Sequence, residues 1–511
     1  MSFKSVGKQA TPTAILEDGS EPHAQDDALT FIRAHRDEVD ATLYADSAYA
    51  KRLRRKVDLL VMPFLLLCYS MNFLDKVLLN YANVMGLTPA LNLVGNDFSN
   101  ASSAFFIAVL IAAVPNMYLL QRLPVAKWLG FCLTVWGVCT AFHAVLHDYA
   151  GLLTVRVFCG IFEAGIPSAL MLISSQWYTR AEQASRFAYW YCGLGVGQIL
   201  GGLISWAFQF VLKDPADLTS GWRMMFVALG VFTFLLGIMI MLFVPDAPWR
   251  AWFFSTEEKV NLLEHVRVNQ SGIIAKGYQP TQLLEGILDV QVWLMFLIIL
   301  LQGVGGGTIT TYSATLLRSF GFTPQQAALL NMPSGVINIT STLFCGLMSR
   351  YLGLRWFWTA TVSVVGIAGA ALMSWLSTTN RSGLLAGIYL ANFIVGAAPT
   401  DYQWVLTNTA GHTKRAYVAA MMNAAFATGN IIGPQTYRAV DAPQYEPAKV
   451  TLVACWSASV GLTIVLAIYY LIINRRRDRD VGCTVPEQDV SEAKAFAGLT
   501  DRKNKDFRYV Y

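Results

Sequence analysis

A twelve-helix integral membrane fold in two pseudo-symmetric six-helix bundles is what this 511-residue sequence predicts. Two observations carry the prediction. A dozen separate stretches of mostly apolar residues each run to about 20 residues, the length of helix that crosses a bilayer core. Hydrophobic residues make up 55% of the chain and charged residues only 14%, where soluble domains carry about 25%. Backbone N–H and C=O groups in lipid need internal partners, so apolar runs of this length are read as helices.

In chain order the first six spans are expected at 57–79, 99–121, 126–146, 150–175, 185–211 and 222–244. The polar stretch 245–289 follows, and six more spans are expected at 290–317, 325–348, 354–377, 382–408, 414–436 and 450–473. An even number of spans puts both ends of the set on one side. Lys51, Arg52, Arg54, Arg55 and Lys56 precede the first span, and Arg475, Arg476, Arg477 and Arg479 follow the last. By the positive-inside bias that side is the cytosol. The short loops expected there hold Arg122, Lys127, Arg180, Arg186, Arg350, Arg355, Lys414 and Arg415, whereas the opposite loops at 80–98 and 147–149 hold no Lys or Arg. Lys213, Arg223, Arg318, Arg381, Arg438 and Lys449 run against the bias. The organisation is thus a polar, acidic cytosolic tail at 1–56, a bundle at 57–244, a cytosolic loop at 245–289, a second bundle at 290–473 and a cytosolic tail at 474–511. Neither tail shows a folded module, and the first lacks the apolar core of a cleaved signal.

Several classes drop out. The net charge of +5 is accounted for by the basic flanks, which set orientation, so no nucleic-acid partner is implied. Seven of eight cysteines fall inside apolar runs and Cys483 stands alone in the tail, so neither a disulfide framework nor a metal spacing is present. The glycine run around Gly303, Gly305, Gly306 and Gly307 lacks the Lys-Ser/Thr of a phosphate loop and reads as a helix break or a close helix contact. Gly193, Gly195, Gly197, Gly201 and Gly202 in span five read as packing glycines. No cofactor, ATP motif or catalytic grouping is visible, so an enzyme is not expected.

Particular motifs narrow the field. Gly346, Ser349, Arg350, Gly353 and Arg355 after span eight have the spacing of the Gly-x-x-Asp-Arg-x-x-Gly-x-Arg loop of major facilitators, with Ser349 in the place of Asp. The matching place after span two, Pro115 to Lys127, keeps only the basic residues. Asn72-Phe73-Leu74-Asp75-Lys76 in span one resembles the fungal anion:cation symporter family, which usually has Arg at the position of Lys76. Arg156-Val-Phe-Cys-Gly160-Ile-Phe-Glu163-Ala-Gly165 and Gln176-Trp177-Tyr178-Thr179-Arg180-Ala181-Glu182, with Arg186, continue the likeness. Three further stretches, Arg267 to Lys276, Asn408 to Arg415, and Gly429 to Gln435 with Ala442 to Tyr445, resemble its allantoate permease branch. The resemblance extends over roughly residues 55–475. It implies a major facilitator fold, whose halves rock about a midplane site, and proton-coupled uptake of small organic anions such as ureido acids, short peptides or vitamins.

Charges inside spans cost a few kcal/mol each and mark partners or a solute path. Arg156, Gly160 and Glu163 are four and three residues apart and share a helical face. Arg156 is expected to hold a substrate carboxylate by two parallel hydrogen bonds, Glu163 to exchange the proton, and Gly160 to leave room between them. The competing reading is a structural Arg–carboxylate pair. Asp75, a further proton-coupling candidate, lies at the depth of Arg156 and is expected to meet it, as a gate or as a bridge. Lys76 points about 100° away and is expected to snorkel to the surface. Asp401, beside Tyr402, Gln403 and Trp404 in span ten, reads either as a substrate or proton site or as a water-exposed residue at the inner mouth. Gln302, Tyr312, Asn430 and Gln435 are candidate cavity ligands, with helix-to-helix hydrogen bonding the alternative for Asn430 and Gln435. The lone His143 reads first as a packing residue.

The function expected is that of a secondary active transporter: a monomer in the plasma membrane that brings in a small organic anion with a proton by alternating access. Efflux of a fungal metabolite is the alternative within transport, and a solute sensor the alternative outside it.

Overall fold

The computed structural model describes Phe31, Ala34 and residues 47–511, except 212–213, 268–278, 378, 442–444, 482–499 and 505–506. Most of the N-terminal tail, most of the Arg267 to Lys276 motif, Ala442 to Gln444 and Cys483 therefore lie outside the described residues.

Among the described residues, eleven helices are long and apolar enough to cross a membrane. In the first half they are Tyr49–Val84, Asp97–Arg122, Val125–Val145, Tyr149–Trp177, Ser185–Phe208 and Gly221–Phe243, spans one to six. In the second they are Val290–Ser319, Pro324–Leu352, Arg355–Trp375, Arg381–Thr407 and Glu446–Arg479, spans seven to ten and span twelve. The predicted span eleven is His412–Gln435, a 24-residue helix. At about 1.5 Å per residue it reaches some 36 Å, enough for a core of about 30 Å. Thr413, Lys414, Arg415, Asn423, Thr428 and Asn430 make it more polar than the others.

Span one starts earlier than expected because Ala50, Leu53 and Val57 form a buried stripe at helical spacing while Lys51, Arg52 and Arg55 face out. Among its described residues, the polar stretch between the halves holds two α-helices, Thr256–Arg267 and Pro280–Ile287. The glycine run of span seven is unbroken helix, so of its two readings close contact holds. Where the sequence reads a second tail without a folded module, Thr500, Asp501 and Tyr509 are buried, with Asp501 0% and Tyr509 4% exposed.

The halves meet where span one touches span seven, span two touches span eleven, and span five touches span eight. Gly195 and Gly335 form the closest point of the last pair, since a methyl on either would strike the carbonyl of the other. Hydrogen bonds between the halves concentrate at the end away from the termini, here the far end: Asn80 to Ser313 at 2.8 Å, Asn83 to Thr315 at 3.3 Å, and Asn331 to Tyr81 at 3.0 Å. The opposite end, the terminal end, carries the start of span one and the end of span twelve.

Candidate transport site

Span four sets the site. Asp148 caps its start, accepting from the Gly151 N–H at 2.8 Å, and the first segment runs Tyr149–Glu163. Pro167, in the first turn of the continuation Ile166–Trp177, has no N–H to give the Glu163 carbonyl four residues back. Glu163 therefore closes the first segment, at the middle of the 29-residue span.

Arg156 and Glu163 both face span one. Arg156 Nη1 donates to Asp75 Oδ2 at 3.3 Å, and the Thr140 hydroxyl of span three donates to Asp75 Oδ1 at 3.1 Å. Toward the midpoint, Lys76 Nζ pairs with Glu163 Oε1, which also accepts from Asn72 Nδ2 at 2.8 Å. Lys76 thus turns inward rather than snorkelling. Its flexible four-carbon stem is steered by Asn72 one turn earlier, whose side-chain and backbone oxygens accept from Nζ at 2.8 and 3.1 Å. The result is two ion pairs between the same two helices, with no net charge.

Exposure separates the four. The side chains of Arg156, Asp75 and Glu163 are 2%, 3% and 4% exposed, but that of Lys76 is 15% exposed. Lys76 is the member that meets open space. Among the described residues, Arg156 Nε and Nη2 and Glu163 Oε2 are buried without a hydrogen-bond partner. These are the groups a ligand or a water would use.

Gly160 works differently from its expected role as a gap between charges. A side chain there would strike the Phe105 carbonyl and come within 2.9 Å of the Ala108 methyl, so the glycine admits span two. That approach sets the Phe105 ring 5.7 Å from Lys76 Nζ and 5.8 Å from the Arg156 guanidinium carbon, where its π face favours both cations. His143 packs nearby, stacked on Phe226 at 4.5 Å, with Nδ1 donating to the carbonyls of Cys139 and Thr140.

The second half holds a smaller polar niche. Asp401 is 0% exposed, so it is not the water-exposed residue at the mouth that one reading allowed. Its Oδ2 accepts from Gln302 Nε2 at 3.0 Å, and the same nitrogen reaches Ser459 of span twelve at 3.3 Å.

The remaining candidates stand apart from both groups. The hydroxyls of Tyr312 and Ser99 of span two lie 2.5 Å apart, and the Tyr312 ring stacks on Tyr437 at 4.3 Å. Gln435 donates to Asn100 and Ser103 at 3.1 and 3.0 Å. Both residues close the far end between the halves. Asn430 donates to the Phe426 carbonyl of its own helix at 2.8 Å, and its backbone packs on Gly307. The structure thus joins Asp75, Arg156 and Glu163 in one network and Gln302 with Asp401 in another. Sequence reasoning passed over Asn72, Thr140 and Phe105. The four-residue spacing of Asn72 and Lys76 was a usable signal, whereas Thr140 and Phe105 enter through tertiary packing alone.

At the terminal end, Glu182 accepts from Arg54 at 3.2 Å and from the Thr179 N–H at 3.1 Å and meets His265 at 3.0 Å. Arg186 pairs with Asp58 at 2.9 Å and Lys56 with Glu258 at 2.7 Å.

Twelve helices in two halves, joined at one end around compensated charges at mid-depth, define a membrane transporter. The chain belongs to the Major Facilitator Superfamily, which matches residues 65–434. It is 34% identical over 475 residues to the thiamine pathway transporter THI73 of Saccharomyces cerevisiae, covering 92% of this chain and 88% of that protein. It is 30% identical over 476 residues to the allantoate permease of the same yeast, covering 90% and 86%. Among solved structures, a bacterial homolog of the human lysosomal transporter Spinster, inward-facing and occupied, matches with a TM-score of 0.59 at 16% identity, over 81% of this chain and 96% of that one. A D-xylose-proton symporter matches with a TM-score of 0.59 at 15% identity, over 78% and 96%. The solved structures share the fold, and the yeast relatives are transporters rather than enzymes.

Proposed function

We propose that this chain carries a small organic anion into the cell together with a proton, with Glu163 as the proton carrier and Lys76 as the cation that takes the substrate carboxylate. The observation behind this reading is the Lys76–Glu163 pair at mid-depth, in which Lys76 is the exposed partner. A deprotonated Glu163 occupies Lys76. A proton on Glu163 removes that competitor, and the ammonium is free to pair with an incoming carboxylate, with the unspent Arg156 Nη2 as a second donor. Asp75 keeps Arg156 neutralised and in place throughout. Release of anion and proton returns Lys76 to Glu163, so no buried charge is left unpaired at any stage, the condition that low dielectric imposes.

The rest of the reading follows the same logic. Tyr312 and Gln435 belong to the far-end gate, Asn430 packs the cavity wall, and Asp401 with Gln302 supplies substrate selection or a second proton site in the opposite half. With both termini cytosolic at the plasma membrane, the far end, where hydrogen bonds join the halves, is the outer one. A monomer suffices for this cycle. A ureido acid such as allantoate, a vitamin carboxylate or a dipeptide fits one free cation bordered by hydrogen-bonding groups.

The test is uptake of labelled allantoate, nicotinate, pantothenate, a dipeptide and thiamine by cells carrying the chain at the surface, at acidic and near-neutral external pH. Acid-stimulated uptake of an anion, lost in Lys76→Met, is the expected result. Uptake confined to cationic thiamine, or indifferent to pH and to Lys76, overturns the reading, and extrusion of preloaded anion without uptake assigns efflux instead.

A further inference from the structure

The second half ends in a site built for a peptide, and its occupant is the chain's own segment around residues 500–511. Two buried asparagines each hold both backbone polar groups of one residue. Asn408, 0% exposed, accepts from the Val510 N–H at 2.7 Å and donates to the Val510 carbonyl at 2.9 Å. Asn474 of span twelve, 5% exposed, accepts from the Tyr509 N–H at 3.0 Å and donates to the Tyr509 carbonyl at 2.8 Å. Trp404 Nε1 adds a second donor to the Val510 carbonyl at 2.8 Å, and the Arg355 N–H donates to the Tyr511 carbonyl at 2.7 Å.

Side chains lock the same segment. The Tyr509 ring stacks on Tyr470 at 4.8 Å, lies under the Arg477 guanidinium, and sends its hydroxyl to Asp501 at 2.8 Å. Asp501, 0% exposed, meets Lys414 at 2.7 Å, and Lys414, also 0% exposed, holds Asp289 at 2.7 Å and Glu285 at 2.9 Å. Thr500 donates to Glu285 at 2.8 Å, and Arg502 reaches Asp289 at 3.3 Å. One short segment thereby touches spans seven, nine, ten, eleven and twelve and the helix Pro280–Ile287. Asn408, Trp404 and Asn474 thus direct their polar side-chain groups at this segment's backbone.

We propose that this surface is an intramolecular peptide-docking site, and that the segment around Asp501 and Tyr509 is a detachable clasp that makes the terminal end of the second half one rigid body. The occupant is selected by an aspartate eight residues before a tyrosine, a spacing that matches the Lys414 and Tyr470 subsites. The proposal does not depend on what is transported.

The test is hydrogen exchange on the whole chain in lipid nanodiscs. The amides of Tyr509, Val510 and Arg355 are expected to exchange at least a hundredfold more slowly than free peptide. Tyr509→Ala and Asp501→Asn are expected to remove that protection at all three and to lower the melting temperature, whereas the exposed Lys503→Ala changes neither. A synthetic peptide of residues 500–511 is expected to bind a chain shortened to residue 499, at least tenfold more weakly when it carries D501N. Free-peptide exchange rates in the unmodified chain overturn the proposal. So does wild-type melting in both variants, or equal binding of the two peptides to a shortened chain shown to be folded by its own melting curve.

Discussion

The two halves hold their charges in opposite ways. The first half keeps four charges in two pairs at mid-depth, Asp75 with Arg156 and Lys76 with Glu163. The second keeps a lone carboxyl, Asp401, with one amide donor at 3.0 Å. At the terminal end the contrast inverts in sign. The loop from span four to span five places an anion, Glu182, among Arg54 and His265, while the loop from span ten to span eleven leads to a cation, Lys414, among Glu285, Asp289 and Asp501. A cycle that exchanges ions needs a charge able to change partners. At mid-depth, among the described residues, Lys76 of the first half is the exposed member of such a pair.

The largest effect is expected where a buried pair loses one member. Arg156→Ala leaves Asp75 buried with only Thr140 as donor, and breaking such a pair costs about 3–5 kcal/mol. Arg156→Ala combined with Asp75→Asn is expected to recover more than half of that loss, measured as the melting temperature of purified protein. Failure of the second change to rescue the first would show that Arg156 acts by packing against Phe105 rather than by its charge.

In the proposed cycle, Glu163→Gln is expected to cut accumulation at acidic external pH at least hundredfold, about 2.7 kcal/mol. Exchange of internal for external substrate is expected to persist, because the amide leaves Lys76 free in the manner of the protonated acid. Measuring counterflow beside accumulation separates the two. Loss of both would make Glu163 a structural partner and abolish the distinction between the halves.

How far the sequence went depends on what each feature needed. The helices were legible because bilayer thickness dictates their length, and even the polar span eleven stood out by position. Asp75 and Arg156 could be matched by counting depth along antiparallel helices. Lys76 was misplaced because angular spacing on a helix gives the direction of Cβ, whereas a long side chain ends where its acceptors are. The clasp was invisible for a related reason. Asp501 and Tyr509 sit in a stretch of polar composition, and only the fold shows that Lys414, Asn408 and Asn474 are waiting for them.

Asp401→Asn sharpens the contrast from the other side. No cation loses its partner, and Gln302 keeps an oxygen acceptor, so a stability change of no more than about 1 kcal/mol is expected. A melting loss comparable to that of Arg156→Ala would mean that Asp401 is ionised and paired after all. Uptake across the anion panel then distinguishes selection, in which preference changes, from proton carriage, in which the acid stimulation changes.

The smallest effect belongs to the terminal end. Burial pushes the Glu182 carboxyl up, but the hydrogen bonds from His265 and Thr179 outweigh it and hold it down at about 2. Its value in an unfolded chain is about 4.3. Because the folded value is the lower one, the stabilisation is complete above about pH 4.3 and is lost as pH falls through about 2. Glu182→Gln is therefore expected to cost about 1 kcal/mol near neutral pH, with the gap to the unmodified chain closing below about pH 4. Melting curves of Glu182→Gln and of the unmodified chain across pH test this directly, since a gap that stays constant down to about pH 2 would mean that Glu182 stabilises by packing rather than by its charge.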